Sequence, residues 1–384
     1  MEQAMSDIRI ILETKQLDTC SSGWLEAIEG VSRADVLREI DAVPGKYHIE
    51  RLIALLSPAA DHFLEQMAQV GRQLTIRRFG RTIQLYVPLY VSNYCINSCR
   101  YCGYSSSAGG DCTRLTIEEA LAEADIIAGE GFRHILIVSG EDPGFVTVDY
   151  LAELAAGLRK RFSSISVEIY PLDREQYRRL FEAGIDGVTL YQETYDRSVY
   201  ARCHPSGPKS DYDRRLETHD LAGSAGMRRM GIGVLLGLGD WRLETLALAE
   251  HADYLMKKYW RSQVSFSFPR LRPARGMQAE FGHLVGDRDM VKMMLALRLC
   301  FADAGIVLST RESASLRDNL IRLCVTQISA GSKTSPGGYG GHIQSTRQFE
   351  IDDERTAAEV AAMIDAAGFQ PVWKDWDKAF SVLP

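Results

Sequence analysis

Short runs of apolar and β-branched residues alternate with longer segments of helical periodicity between about residue 83 and residue 329. Eight of these runs have the length and composition of buried strands. They are residues 83–92, 134–140, 164–170, 187–193, 230–238, 264–270, 306–311 and 324–329. The segments between them are typical of amphipathic helices. Residues 116–131, for example, begin with a Thr that can cap a helix and end on Gly.

This alternation predicts eight strand and helix units and therefore an α/β fold. The number of units favours a closed (β/α)8 TIM-type barrel over residues 81–330, although an open doubly wound sheet would produce the same local pattern. Residues 1–80 are helical in pattern and are predicted to form an N-terminal extension packed on the barrel. Residues 331–384 are predicted to close the barrel with a loop at 331–342 and a helix at 352–367.

Composition and charge narrow the classes of function. The chain has 44 basic and 51 acidic residues, a formal net charge of -7, which argues against a general electrostatic grip on nucleic acid or an anionic membrane. The N-terminal segment has the pattern of neither a secretory signal nor a mitochondrial presequence, and no run approaches the roughly 18 apolar residues of a membrane helix. A cytoplasmic protein with a small-molecule substrate is the expectation, and its eight cysteines are expected to be unpaired.

Three of those cysteines form the strongest chemical signal in the sequence. Cys95, Cys99 and Cys102 follow the first predicted strand in a C-x3-C-x2-C arrangement. A structural zinc site would normally recruit a fourth ligand at short spacing, for which Cys112 and His134 are the nearest candidates. Three thiolates can instead hold a [4Fe-4S] cluster with one iron left open to bind the amino and carboxylate groups of S-adenosylmethionine.

The chain resembles the radical S-adenosylmethionine (radical SAM) superfamily at these residues, and neighbouring motifs narrow the resemblance to the 2-iminoacetate synthase (ThiH) family of thiamine biosynthesis. The similarity runs from about residue 50 to the C-terminus. Its motifs are VPLYVSNYCINSCRYCGYS, VSGE, YQETY, SFPRLRP, LSTRES, SKTSPGGY and PVWKDWD. The resemblance implies a (β/α)8 barrel that cleaves the Cα–Cβ bond of L-tyrosine, giving 2-iminoacetate and p-cresol with 5'-deoxyadenosine and methionine.

Related functions remain open at this point. The hydrogenase-maturation tyrosine lyase (HydG) and the tryptophan lyase of nosiheptide biosynthesis (NosL) share most of these motifs. HydG carries a second cysteine-bound cluster in an extra domain, whereas here no cysteine follows Cys324. Residues Gly103 and Tyr104 and the PVWKDWD motif weigh more weakly against the tryptophan enzyme. A non-enzymatic iron-sulfur or zinc scaffold is the alternative from another class, but such carriers usually close all four cluster positions.

Residues for S-adenosylmethionine are expected at the C-terminal ends of the strands, because these ends converge on one mouth of a barrel. The resemblance implies that an aromatic side chain flanks the adenine, that a carboxylate after strand 2 binds the methionyl amino group, and that strand-4 residues bind the ribose. An arginine is a less certain partner of the methionyl carboxylate. The aromatic residue is Tyr101, the carboxylate is Glu141, the strand-4 residues are Gln192 and Glu193, and the arginine is Arg215. The GIGVLLG segment, residues 231–237, resembles the adenine-contacting strand, but glycines also serve close packing.

For the substrate carboxylate we expect the planar fork of Arg311, with Ser309 and Ser329 in support. By resemblance Ser329 and Tyr90 also line the substrate pocket, although Tyr90 could equally be a core aromatic residue. Arg270 and Arg272 are secondary candidates that could instead form structural ion pairs, and His204 is a weak one. The partners implied by the resemblance are L-tyrosine, a flavodoxin- or ferredoxin-type reductant and a thiazole synthase.

Overall fold

A computed structural model describes residues 7–277, 282–341 and 343–374. Within them, eight parallel strands form a closed barrel in which β1 pairs with both β2 and β8. The strands are β1 Thr82–Ser92, β2 His134–Ser139, β3 Ser164–Glu168, β4 Gly187–Thr189, β5 Arg229–Gly233, β6 Gln263–Ser267, β7 Gly305–Leu308, β8 Gln327–Ser329 and an added β9 Gln370–Val372. All eight predicted strands are confirmed, and most end earlier than their apolar runs do.

Helices surround this barrel, and further helices lie before its first strand and after its eighth strand in the chain. They are α1 Asp7–Thr14, α2 Ser22–Glu29, α3 Arg33–Asp41, α4 Ile49–Leu56, α5 Leu64–Phe79, α6 Ile117–Gly129, α7 Val148–Leu158, α8 Arg174–Ala183, α9 Arg197–Cys203, α10 Tyr212–Leu216, α11 Thr218–Ser224, α12 Trp241–Lys258, α13 Asp287–Cys300, α14 Ala314–Leu320 and α15 Ala357–Ala366. Within the described residues, no helix is long and apolar enough to cross a bilayer.

Local sequence explains where the helices begin. Thr116 caps α6 and forms a capping box with Glu119, as the Thr at the start of that segment predicts. The predicted helix at 352–367 begins later than expected, at Ala357, because Thr356 is its cap and makes a second capping box with Glu359. The preceding residues are held instead by ion pairs of Asp353.

The core lies between the barrel and its helices. The strands are buried on both faces, as expected of a parallel sheet that helices cover. At the N-terminal end of the chain, α4 and α5 pack against α13, and α1 packs against α12. At the other end, β9 pairs in parallel with the start of β1, a strand that the sequence pattern did not predict. The division of the chain at residues 80 and 330 stays a prediction.

Candidate active site

The three cysteines of the motif lie in the loop that leaves β1 at the mouth of the barrel. Cys99 is buried, whereas Cys95 and Cys102 are partly exposed. The loop is fixed to the end of β2 by two backbone hydrogen bonds: Ile96 donates to the carbonyl of Glu141 (3.0 Å), and Gly140 donates to the carbonyl of Ser92 (2.9 Å). The position of the cysteines therefore depends on the strand end beside them.

Gly140 makes that close approach possible. A Cβ atom at this position would lie 2.1 Å from the Tyr94 carbonyl oxygen and 3.1 Å from the Cys95 Cβ. We expect Gly140→Ala to displace the cysteine loop and to lower the iron bound after anaerobic reconstitution severalfold, because the clash is with backbone that cannot rotate away. Gly129→Ala on α6, where nothing lies within 4 Å, is the matched control. Iron per chain measures both, and wild-type iron in Gly140→Ala would contradict the expectation.

The donor set of the loop, three cysteine thiols, fits an iron-sulfur cluster. Burial raises the pKa of Cys99 to about 12 and that of Cys102 to about 11, so both need a bound cation to become thiolates. Cys203 lies nearby but packs in an apolar cluster with Leu235 and Leu238.

Three charged side chains lie beside the cysteine loop, and two of them, Glu193 and Arg215, are buried. The Glu193 carboxylate accepts hydrogen bonds from Lys209 Nζ (2.7 Å) and Arg215 Nη2 (3.1 Å). Burial would raise the pKa of Glu193, but the two cations outweigh it and hold that pKa at about 2. Glu193 also has a positive φ of 72°, unusual outside glycine, at the point where the segment that follows β4 stops running beside β5. This group leaves one net positive charge to face an anionic ligand.

Tyr101 is fixed next to this group. Its hydroxyl donates to His204 Nε2 (2.8 Å), while His204 Nδ1 donates to the Tyr200 carbonyl (2.8 Å). Burial lowers the pKa of His204 to about 3, so the ring is neutral and can accept the tyrosine proton. The Lys209 ammonium lies 5.6 Å from the centre of the Tyr101 ring. His204 therefore acts through Tyr101 and not as an isolated site.

The other predicted cofactor residues surround the same loop. Glu141 accepts a hydrogen bond from Asn97 Nδ2 (2.7 Å), and Asn97 lies between two of the cysteines. Gln192 is buried, and its side chain donates to the Tyr212 carbonyl at 3.4 Å. On β5, a Cβ at Gly233 would meet the Ser267 carbonyl oxygen at 2.4 Å, so close packing already requires that glycine.

The four predicted substrate residues line one cavity at the same end of the barrel. Tyr90 lies on β1, Ser309 and Arg311 follow β7, and Ser329 ends β8. Tyr90 donates to Gln348 Oε1 (2.9 Å), and Ser329 Oγ accepts from the Thr310 amide (3.1 Å). Tyr90 is thus a cavity residue as well as a buried aromatic one. The structure brings together residues that are up to 239 positions apart in the chain.

Arg311 differs from the other arginines in this region because its charge is not neutralised. Its guanidinium stacks 3.4 Å from the centre of the Phe349 ring, and in the part of the chain that the structure describes no carboxylate pairs with it. Arg270 is paired with Glu312 and Asp287, and Arg272 with Glu312 and Asp352. The secondary candidates are thus in structural ion pairs, and Arg311 is free to bind a carboxylate.

Several residues of the site were missed in the sequence. Lys209, Gln348 and Phe349 reach it from loops with no motif of their own. Glu168 lines the cavity as the last residue of β3. Glu168 is the one charged residue inside the apolar run 164–170, and that charge is the signal that could have found it.

A parallel (β/α)8 barrel with three cysteines in the loop after its first strand and a charged cavity at the same mouth defines a radical SAM enzyme. In agreement, a model of the Radical SAM superfamily matches residues 89–249. A model of the Biotin and Thiamin Synthesis associated domain matches residues 267–370.

The relatives make the assignment more specific. The 2-iminoacetate synthase of Escherichia coli strain K12 is 44% identical over 353 residues, covering 91% of this chain and 92% of that protein. Its counterpart in Salmonella typhimurium is 44% identical over 355 residues, again covering 91% and 92%. A crystal structure of HydG, a maturase of the [FeFe]-hydrogenase, has a TM-score of 0.87 at 33% identity, covering 93% of this chain and 80% of that one. The chain belongs to the 2-iminoacetate synthase family.

Proposed function

We propose that this protein cleaves the Cα–Cβ bond of L-tyrosine to 2-iminoacetate and p-cresol, for the thiazole of thiamine. The single observation that carries the proposal is the unneutralised Arg311 in a cavity beside the cysteine loop. The curated relatives named 2-iminoacetate synthase support it over 92% of their length. A cytoplasmic location fits the sequence.

The residues that we propose for the cofactors lie around the same mouth of the barrel. Cys95, Cys99 and Cys102 would hold a [4Fe-4S] cluster. S-adenosylmethionine would contact Glu141 with its amino group, Arg215 with its carboxylate, and Tyr101, Gln192 and Glu193 with its nucleoside. When bound, the two groups supply a 5'-deoxyadenosyl radical that takes a hydrogen atom from the substrate.

The chain's own residues decide where that hydrogen atom is taken. Arg311 binds the tyrosine carboxylate with two parallel N–H donors, and its stacking on Phe349 fixes the plane of that fork. Ser309 Oγ accepts a hydrogen bond from the Arg311 amide (3.4 Å) and so helps to hold the backbone of this loop in place. A substrate held at its carboxylate presents the adjacent amino nitrogen in one place, so the abstraction is selective.

Two macromolecular partners are part of the proposal. The cluster needs a low-potential electron carrier of the flavodoxin or ferredoxin type. Exposed Tyr94 and Ile96 on the cysteine loop place apolar surface within reach of such a carrier. The product, a reactive imine, would pass to a thiazole synthase, because it hydrolyses when free in water.

Product analysis under anaerobic conditions tests the proposal. Reconstituted protein with S-adenosylmethionine, dithionite and either tyrosine or tryptophan should yield p-cresol from tyrosine. The reaction with tryptophan should yield no indole product. An indole product would establish a tryptophan lyase instead, and one tightly bound zinc without cleavage of S-adenosylmethionine would establish a scaffold.

A further inference from the structure

Glu168 is a polar group of the substrate cavity without a hydrogen-bond or ion-pair partner in the described residues. Its neighbours in the cavity are satisfied: Tyr90 donates to Gln348, and Tyr191 donates to Ser267 Oγ (3.0 Å). Glu168 is the last residue of β3 and is partly exposed to the cavity that it lines. A carboxyl group without a hydrogen-bond partner inside a barrel costs folding free energy, unless a bound ligand supplies that partner.

Glu168 lies across the barrel from Arg311. In the ring of eight strands, β3 and β7 are four strands apart in either direction, so their C-terminal ends lie on opposite walls of the mouth. Both residues line the same cavity. An amino acid whose carboxylate binds Arg311 therefore directs the far end of its side chain towards the wall that carries Glu168.

The surroundings of Glu168 raise the pKa of its carboxyl group to near neutral pH. Burial and the nearby Glu193 raise the pKa of Glu168 to about 7, while Arg311, Arg215 and Lys209 oppose that rise. The other titratable side chains that face it are the hydroxyls of Tyr86, Tyr90 and Tyr191. A carboxyl group in this range can both accept and return a proton near neutral pH.

We propose that Glu168 accepts a hydrogen bond from the phenolic hydroxyl of tyrosine and takes its proton as the Cα–Cβ bond breaks. This rests on the proposed function. The phenolic O–H bond breaks, an O–H bond forms on a carboxylate oxygen of Glu168, and the electron pair stays on the phenolate oxygen. The electron carrier and a solvent proton supply the electron and proton that turn the benzyl carbon into the methyl group, and Glu168 returns its proton to the phenolate oxygen when p-cresol leaves. Glu168 is therefore the residue that selects tyrosine over phenylalanine.

The substrate ammonium group is the other cation or donor that a carboxylate could bind. It is attached to the same carbon as the substrate carboxylate, so it lies on the Arg311 side of the cavity. Glu168, on the opposite wall, is placed for the distal end of the side chain. The two contacts predict different binding patterns, which makes them separable by experiment.

Equilibrium binding of tyrosine and phenylalanine to reconstituted protein with S-adenosylmethionine, before any reductant is added, tests the contact directly. Glu168→Leu removes the acceptor and should reduce the preference for tyrosine over phenylalanine by about tenfold to a hundredfold. Glu153→Gln, at an exposed position on α7, is the matched control and should leave that preference unchanged. Equal weakening of both amino acids in Glu168→Leu would show an ammonium contact and overturn the proposal, as would an unchanged preference.

Turnover tests the proton transfer. Glu168→Gln keeps the shape and a hydrogen-bond acceptor but cannot take a proton, so p-cresol formation should fall by about a hundredfold. In the wild type, kcat/KM for tyrosine should fall as the pH drops below about 7, because a carboxyl group that is already protonated cannot take the phenolic proton. Glu168→Gln should lose this pH dependence. Wild-type turnover in Glu168→Gln overturns the inference alone, whereas a wild-type enzyme that makes no p-cresol overturns the proposed function with it.

Discussion

Replacing Cys99 with serine is expected to remove the iron and to abolish both S-adenosylmethionine cleavage and p-cresol formation. Cys99 is the buried member of the cysteine motif, and burial raises the pKa of its thiol to about 12. It becomes a thiolate only by binding iron. A serine hydroxyl has nearly the same shape but does not ionise there, so the cluster loses one of its three ligands. Iron per chain after anaerobic reconstitution should fall from about four to below one.

Cys112 provides the matched control. It is exposed ten residues after Cys102, and its Sγ makes a long, weak contact with the Gly110 carbonyl at 3.8 Å. Cys112→Ser should keep wild-type iron and wild-type product. If Cys112→Ser also lost its iron, the three-cysteine site would have a fourth ligand and the open coordination position would not exist. A Cys99→Ser protein that kept four irons would contradict the assignment of the ligands.

The architecture was predictable because parallel strands buried on both faces have a strong sequence pattern. The ends of the strands were less so. The run at 187–193 was predicted as one strand, but the ladder of β4 ends at Thr189. The next residues no longer pair with β3 but still run beside β5, where the Gln192 amide donates to the Gly233 carbonyl (3.2 Å) and the Leu235 amide donates to the Glu193 carbonyl (2.8 Å). The positive φ of Glu193 comes at the end of this pairing. Hydrophobicity continues past the ladder because these residues are still buried.

Some features of the site can likewise be predicted from local sequence, whereas others are contacts that form only when the chain has folded. The cysteines, Glu193 and Arg311 lie in local motifs or at the ends of predicted strands. The contact of Tyr90 with Gln348 spans 258 positions, and the stacking of Arg311 on Phe349 joins a strand end to an irregular segment. Lys209 pairs with Glu193 from a single 3-10 turn, Pro208–Ser210, which no periodic pattern in the sequence predicts. Such contacts are set by tertiary packing, which periodicity does not encode.

Arg311→Ala should uncouple the reaction: 5'-deoxyadenosine is still formed, but p-cresol is not. Arg311 makes no ion pair among the described residues, so its loss leaves no buried carboxylate behind and the fold should survive. The variant loses the two charge-assisted hydrogen bonds that hold the substrate carboxylate. We expect p-cresol formation to fall at least a hundredfold, about 3 kcal/mol. Both products can be measured by mass detection in one anaerobic reaction.

The matched variants for this prediction are Arg311→Lys and Arg322→Ala. Lysine keeps the charge but not the planar fork, and it does not stack on Phe349 in the same way, so it should restore little of the lost product. Arg322 is exposed near the end of α14, and its replacement should change neither product. Because the cysteine loop and the Glu193 group are untouched in Arg311→Ala, cleavage of S-adenosylmethionine reports on the cofactor site and p-cresol on the substrate site. Undiminished p-cresol would show that another group holds the carboxylate, whereas loss of both products would show that Arg311 serves the cofactor site.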